Sequence, residues 1–191
     1  MNPGYLALFP TAIESPVNTP ELITRLTEIQ LIGSPVSGHS DRFYTGAHFL
    51  QLITFMGCSP AIPLEKGTDD KEPCILRFWG PYQSPRLFTG GNSRPPRCPL
   101  CRNVLKEWRS ALERQENNPI ECPECSKLID VERLNWRQLA GVGRQFLTIS
   151  QVFPGEAVPV GGLMRCLEGE GEPWDYCYIQ EPLQLTPINR R

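Results

Sequence analysis

Alternation of hydrophobic and polar residues predicts strands in several parts of the chain. Residues 74–79 (CILRFW) and 174–180 (WDYCYIQ) alternate with the two-residue period of a half-buried strand. Residues 145–153 (QFLTISQVF) are rich in strand-forming residues and apolar on both faces, which predicts a more buried strand. After the turn-forming GPYQSP, residues 86–89 (RLFT) are predicted to return as the hairpin partner of residues 74–79.

A helix is predicted in NTPELITRLTEIQLIG, where apolar residues recur at helical spacing. Thr19 is the predicted N-cap, Pro20 stands at the first helical position and Gly33 is the predicted end. A second, short helix is predicted around residues 163–167, ending near Gly169.

Apart from this first helix, the hydrophobic and polar pattern of the first 56 residues predicts secondary structure less clearly. Residues 1–18 are predicted to form an extended lead-in interrupted by prolines, and residues 33–46 have the composition of a loop. Residues 48–56 (HFLQLITFM) fit either a buried strand or a short helix, because periodicity does not separate the two in a short apolar run. We favour the strand.

Predicted strands lie both before and after a central, cysteine-rich segment. This order predicts an α+β fold with a mixed or antiparallel sheet, a few helices and an inserted four-cysteine module. The predicted division is 1–93 for the first part of the α+β domain, 94–142 for the insertion and 143–191 for the second part. A length of 191 residues suits one such domain.

Composition narrows the classes of function. A net charge of −2 is not that of an obvious nucleic-acid or membrane binder, and no apolar run is long enough to cross a bilayer. The N-terminal stretch has no basic start and is interrupted by Pro3 and Pro10, so we expect no signal peptide and a cytoplasmic protein. In that compartment the eight cysteines are better explained as metal ligands or core residues than as disulfides. No glycine-rich phosphate loop is present, so no small-molecule cofactor is expected.

Four of the cysteines have the spacing of a metal site. They form two C-x2-C pairs separated by 20 residues: Cys98, Cys101, Cys122 and Cys125. Two residues between a pair let the backbone wrap so that both thiolates reach one ion at about 2.3 Å. A proline after the first cysteine of each pair fixes its own φ and lowers the entropy cost of that turn. The spacing predicts tetrahedral zinc.

The pairs CPLC and CPEC resemble the knuckles of zinc-ribbon and treble-clef modules. The resemblance covers only residues 98–125, and the rest of the chain resembles no family that we recognise. It implies a closed site of four thiolates, hence structural rather than catalytic zinc. Rubredoxin-like iron sites use similar pairs but usually place glycine after the second cysteine, where this chain has Arg102 and Ser126. We therefore favour zinc.

Between the knuckles, residues 103–116 are predicted to form a helix with one apolar and one basic face. The candidate partner-binding or nucleic-acid-binding residues are Arg94, Arg97, Arg102, Lys106, Trp108 and Arg109. Residues 94–147 hold ten basic and seven acidic residues, a net +3 that four thiolates and one Zn²⁺ reduce to about +1. The acidic residues of segment 166–181 could also neutralise this face.

Three functions are compatible with these features. The first is a non-enzymatic adaptor that binds a protein assembly through the zinc module. The second is an RNA- or DNA-binding protein that uses the basic helix. The third is a thiol-dependent enzyme centred on Cys58 with His39 or His48 as the base, although a packed core thiol explains Cys58 more simply. We favour the first.

Overall fold

The computed structural model describes residues 4–14, 17–56, 62–64, 72–113, 119–169, 171 and 173–188. The fold is α+β, as predicted, and every pair of strands in these residues is antiparallel. The helices are α1 (Thr19–Glu28), α2 (Phe49–Leu52), α3 (Trp108–Glu113) and α4 (Gly161–Glu168), with a 3-10 helix at Val131–Arg133. The strands are β1 (Gly4–Pro10), β2 (Ile32–Pro35), β3 (Arg42–Thr45), β4 (Ile53–Phe55), β5 (Ile75–Trp79), β6 (Arg86–Thr89), β7 (Ile120–Glu121), β8 (Leu128–Ile129), β9 (Ala140–Gly143), β10 (Phe146–Val152), β11 (Ala157–Pro159), β12 (Trp174–Ile179) and β13 (Gln184–Pro187).

The main sheet has six strands in the order β12-β1-β10-β5-β3-β2. Strands β5 and β12 confirm the two strands that alternation predicted, and β10 confirms the strand predicted from the β-rich run 145–153. The supposed lead-in instead contains β1, which pairs with β10 on one side and β12 on the other. β1 is almost entirely buried because its residues are apolar on both faces. Prolines are tolerated at the end of a strand, so Pro10 ends β1 without disturbing it.

The predicted loop 33–46 is wrong, because this segment belongs to a hairpin at the edge of the sheet. β2 and β3 pair with Ile32 opposite Thr45 and Pro35 opposite Phe43. Only one residue of β2 is buried. A polar, exposed edge strand has the composition of a loop, which explains the error.

Helix α1 forms where it was predicted, but its ends differ. Asn18 is the N-cap, since its side chain accepts from the Glu21 N–H, while Thr19 is already helical. The helix stops at Glu28, and Gly33 lies inside β2. Helix α4 ends at Gly169 as predicted. The two helices pack together on one face of the main sheet.

Residues 48–56 contain both of the elements between which the pattern could not decide. Helix α2 makes one turn from Phe49 to Leu52, and β4 follows directly at Ile53. β4 pairs with β11 in a separate two-stranded sheet. The preference for a strand over the whole segment is therefore wrong in its first half.

Strand β6 exists as predicted but does not pair with β5. Both edges of β5 are already occupied, by β10 and by β3. β6 instead pairs with β9 and β13 in a three-stranded sheet. Phe88 of β6 packs against Phe146 of β10 with ring centroids 4.9 Å apart, so this second sheet covers part of the face of the main sheet opposite α1 and α4.

The cysteine-rich segment packs against the three-stranded sheet. Its buried side chains share a core with residues of β6 and β9 and of both terminal regions. The members outside the segment include Ile13, Leu87 and Ile188. Trp108 and Trp136 form the centre of this core, with ring centroids 5.1 Å apart and nearly perpendicular planes. In the described part of the chain, no helix is long and apolar enough to cross a membrane.

Candidate metal centre

The first cysteine pair lies in a turn closed by backbone hydrogen bonds. The N–H of Cys98 donates to the carbonyl of Asn103, and the N–H of Arg102 donates to the carbonyl of Cys98, both at 2.9 Å. At the base of the turn, Arg97 and Val104 form an antiparallel bridge. The chain therefore reverses direction around Cys98 and Cys101, and we call residues 97–104 the first knuckle.

The second pair lies in a turn with the same bonds at the same spacing. The N–H of Cys122 donates to the carbonyl of Lys127 at 2.9 Å, and the N–H of Ser126 donates to the carbonyl of Cys122 at 2.8 Å. Glu121 and Leu128 pair at its base in the β7–β8 hairpin. Residues 121–128 form this second knuckle, whose backbone repeats that of the first.

Both knuckles need a left-handed residue directly after the second cysteine. Arg102 has φ 63° and Ser126 has φ 52°. Glycine adopts this conformation without steric cost, whereas other residues pay about 1–2 kcal/mol. Arg102 and Ser126 thus take the conformation that glycine would supply. The missing glycine therefore no longer distinguishes this site from an iron-binding knuckle.

The left-handed residue gives a test of knuckle strain. We expect Ser126→Gly to leave the free energy of unfolding unchanged or raise it by up to about 1 kcal/mol, because relief of the strain is offset by the entropy of glycine. Ser126→Val is expected to lower it by about 1–2 kcal/mol, since a β-branched residue fits this region poorly. Denaturant unfolding of both variants checks this, and equal stabilities would contradict a left-handed Ser126.

The two knuckles bring four sulfur atoms together. All four Sγ atoms lie within 4.8 Å of one another. Cys98 and Cys125 are 3.9 Å apart, and Cys101 and Cys122 are 3.6 Å apart. A tetrahedron with metal–sulfur bonds of 2.3 Å has edges of about 3.8 Å. The cysteines therefore cluster at the spacing that a single tetrahedral ion requires.

The surroundings of Cys98 favour its thiolate. Burial opposes ionisation, but backbone N–H groups of Cys101 and Leu100 point at Sγ, at 3.5 and 3.4 Å, and lower the pKa of Cys98 to about 7. An N–H from Asn103 lowers the pKa of Cys101, but desolvation and the neighbouring thiols outweigh it and raise this pKa to about 12. Four such close thiols cannot all ionise without a cation between them, and a bound divalent metal would supply that charge.

The other described cysteines are separate from this cluster. Cys74 and Cys177 are buried, and burial raises the pKa of both, that of Cys74 to about 12. The Cys74 thiol donates to the carbonyl of Ser150 at 3.2 Å. Cys166 packs beside α1. These environments are those of core thiols, not of metal ligands.

The enzymatic hypothesis centred on Cys58 stays untested. Cys58 lies outside the described residues. His39 and His48, its candidate bases, are both exposed. His39 follows the turn after β2, and His48 precedes α2.

The predicted helix 103–116 is shorter than expected. Helix α3 begins at Trp108, and residues 114–118 lie outside the described part of the chain. Val104 is held in the bridge that closes the first knuckle, and the N–H of Leu105 donates to the carbonyl of Pro96. Because these backbone groups close the knuckle, the segment before Trp108 is not helical.

The candidate binding residues divide into an exposed set and a buried one. The exposed set is Arg94, Arg97, Arg102, Lys106 and Arg109. Trp108 is only 4% exposed. Its ring packs on Trp136, and the guanidinium of Arg109 lies 4.4 Å from its centroid. The cations are therefore available to a partner, whereas the indole cannot stack on a base at the surface.

Neutralisation of these cations by segment 166–181 is not seen among the described residues of that segment. Asp41 forms ion pairs with Arg42 and Arg77, which lie far from the module in sequence. None of the described acidic residues of segment 166–181 pairs with the module's basic side chains.

Two exposed apolar side chains of the knuckles were not identified from the sequence. Leu100 and Leu128 are each 66% exposed. For Leu100 the available signal was its position between the two cysteines of a tight turn, where a side chain points away from the metal; Leu128, in β8, had no such signal. No protein-family model, curated protein or solved structure matches the chain.

Proposed function

We propose that the four clustered cysteines bind one structural Zn²⁺, and that the protein is a non-enzymatic adaptor whose metal-held module binds a protein partner. The observation that carries the proposal is the convergence of four sulfur atoms at tetrahedral spacing on two equivalent knuckles. Four protein ligands fill the coordination shell of zinc and leave no position for a substrate. This supports a structural role.

The charge of the metal centre fits its surroundings. Four thiolates and one Zn²⁺ carry a net −2. Arg97 and Arg102 are exposed on the first knuckle, and the Arg97 guanidinium donates to the carbonyl of Arg102 at 3.5 Å. These cations offset the negative charge of the sulfurs. Metal analysis of the full chain is expected to find one zinc per chain and a colourless protein, whereas iron would absorb visible light.

The partner surface is the exposed side of the knuckles, which we call the knuckle surface and define as Leu100, Arg102, Lys106 and Leu128. It combines apolar side chains with cations. Such a surface complements a protein that presents apolar groups within an acidic rim, because apolar contact supplies affinity while opposite charges steer association. The short, closed knuckles fix the backbone at Leu100, Arg102 and Leu128, so no loop has to be ordered there on binding.

Nucleic acid is the second candidate, favoured by the five exposed cations of the module. Phosphate contacts by such residues would make binding steeply salt-dependent. The burial of Trp108 weighs against it, since single-stranded binders use exposed aromatic rings as stacking platforms. The protein-binding alternative is therefore preferred.

Substitutions on the knuckle surface test the adaptor proposal. We expect Leu100→Asp, alone or with Leu128→Asp, to reduce capture of a stoichiometric partner at least about tenfold, because a carboxylate would be buried against the partner's apolar groups and repelled by its acidic rim. The assay is affinity purification of the full chain from source cells, with and without nuclease. Leu50→Asp is the matched control, since Leu50 is 48% exposed on α2.

The outcomes separate the hypotheses. Loss of a nuclease-resistant partner in Leu100→Asp but not in Leu50→Asp supports the adaptor. Equal capture by both variants rejects the knuckle surface. Bound nucleic acid that disappears when Arg102, Lys106 and Arg109 are changed to glutamate would instead establish the second candidate.

A further inference from the structure

A cavity of about 390 Å³ lies on the main sheet, away from the metal centre. The three-stranded sheet covers only part of the main-sheet face opposite α1 and α4, and the uncovered part of that face forms the floor of the cavity. Neighbouring strands contribute Tyr5 from β1, Thr148 and Ser150 from β10, and Arg77 and Trp79 from β5. The segment between β12 and β13 forms one wall. The volume is within the range of small-ligand sites.

One end of the cavity is cationic. Arg42 of β3 stands directly opposite Arg77 of β5, an arrangement of like charges that destabilises a sheet unless it is compensated. Asp41 compensates one charge: it accepts from Nε of Arg77 at 2.9 Å and lies 3.9 Å from Nε of Arg42. The Arg77 guanidinium also stacks on Trp79, 3.8 Å from its centroid. Two guanidiniums against one carboxylate leave one positive charge at this end.

The other end is anionic. Glu181 accepts a 2.9 Å hydrogen bond from the hydroxyl of Tyr5, and Glu72 lines the same cavity. Burial, followed by the Glu181 carboxylate, raises the pKa of Tyr5 to about 12. Glu72 raises this pKa further and Arg77 lowers it, so both charges act on the phenol. Two carboxylates face the cavity here without a cation within ion-pair distance among the described residues.

The neutral polar groups of the floor are already engaged. The indole N–H of Trp79 donates to Thr148 Oγ1, and the N–H of Ile75 donates to Ser150 Oγ, both at 2.9 Å. Recognition of a ligand therefore falls to the charged groups at the two ends. These ends are not joined to each other by an ion pair in the described residues, so both can engage a ligand.

The strands beneath the cavity set the scale of the separation between Glu181 and Arg77, because Tyr5 of β1 holds Glu181 and Arg77 lies on β5. β1 and β5 are separated by β10, so their axes are about 10 Å apart at the usual strand spacing. An extended peptide of three residues spans about 10 Å. We propose that this cavity binds short peptides with free termini, the α-carboxylate contacting Arg42 and Arg77 and the α-ammonium contacting Glu181 and Glu72.

Isothermal titration of the full chain with Ala-Leu-Ala tests this directly. The free tripeptide is expected to bind with a Kd below about 1 mM. Its N-acetyl and C-amide forms are each expected to bind about tenfold or more weakly, because each lacks one charge-assisted contact. Free leucine, which cannot reach both ends, is expected to bind more weakly than the tripeptide.

Two conservative variants test which end of the cavity binds each terminus of the peptide. In Arg42→Gln the preference for the free peptide over its C-amide form should shrink, because only Arg77 remains at that end. In Glu181→Gln the preference for the free peptide over its N-acetyl form should shrink, because only Glu72 remains at the other end. Glutamine at position 181 can still accept from Tyr5, so that hydrogen bond is retained. Arg165→Gln, an exposed change on α4 across the sheet, should leave all affinities unchanged.

Several results would overturn the proposal. Absence of binding heat at millimolar tripeptide rejects it, as does equal affinity for the free and doubly blocked peptides. Unchanged selectivity in both variants would also reject it, provided that their thermal unfolding matches that of the unsubstituted chain. Metal content is measured in parallel, because a peptide effect that depended on zinc would place the site on the module instead.

Discussion

Replacement of Cys122 by serine is expected to abolish stoichiometric zinc binding and to unfold the segment around the knuckles. Cys122 is fully buried, and its sulfur lies 3.6 Å from that of Cys101. A serine hydroxyl stays protonated at neutral pH and is a poor zinc ligand, so three thiolates remain. Zinc content by mass spectrometry should fall from one per chain towards zero.

The loss of zinc should be accompanied by a large loss of stability. Structural zinc contributes on the order of 10 kcal/mol in small zinc-finger peptides, where binding and folding are coupled. On the proposed assignment the second knuckle depends strongly on the ion, because the β7–β8 hairpin has only two residues in each strand. We expect the module to lose amide-exchange protection, while the six-stranded sheet retains it. Chelator treatment of the unsubstituted chain should produce the same pattern.

Cys74→Ser is the matched control for this experiment. Cys74 is also fully buried, but it lies in the main core and outside the sulfur cluster. A serine there can still donate to the carbonyl of Ser150, as the thiol does. This variant should keep its zinc. Retention of zinc by Cys122→Ser, or its loss in Cys74→Ser, would contradict the assignment of the ligands.

The elements that the sequence predicts best are those whose periodicity is local. β5, β12 and α4 show their pattern within one segment, and all three form. Strand β1 was misjudged because its prolines suggested an irregular lead-in, although an uninterrupted apolar run lies between them. The β2–β3 hairpin was missed because its exposed edge strand is polar.

Pairing of strands is less predictable than their existence. The prediction that β6 pairs with β5 rested on nearness in sequence and a turn between them. β5 is instead enclosed by β10 and β3, which come from distant parts of the chain. The cavity on the main sheet depends on this register, since it places Arg42 opposite Arg77. No local pattern contains that information.

At the metal centre, too, some features follow from the local sequence and others do not. Cysteine spacing predicts the cluster because two residues between ligands dictate a knuckle. The left-handed conformation of Arg102 and Ser126 could not be predicted, since neither residue favours it. The start of the helix was also misplaced, because residues with a helical apolar pattern are used to close the first knuckle.

Replacement of Trp108 by alanine is expected to lower the free energy of unfolding by about 3–5 kcal/mol, the usual cost of removing a buried tryptophan side chain. The sequence placed Trp108 among candidate binding residues. In the structure it is 4% exposed and packs edge-on against Trp136 in the core that joins the module to the three-stranded sheet. Its large effect should therefore be on folding, measured by denaturant unfolding of the zinc-loaded chain.

Two companion variants separate packing from surface recognition. Trp108→Phe keeps an aromatic ring against Trp136 and should lose less stability than Trp108→Ala. Arg109→Ala removes the guanidinium above the indole, an exposed contact worth about 0.5–1 kcal/mol, and should change stability little. If Trp108→Ala unfolded like the unsubstituted chain but lost its partner, Trp108 would be a binding residue after all. Because the indole is enclosed by its own module, we expect the opposite: partner binding should weaken only to the extent that the module unfolds.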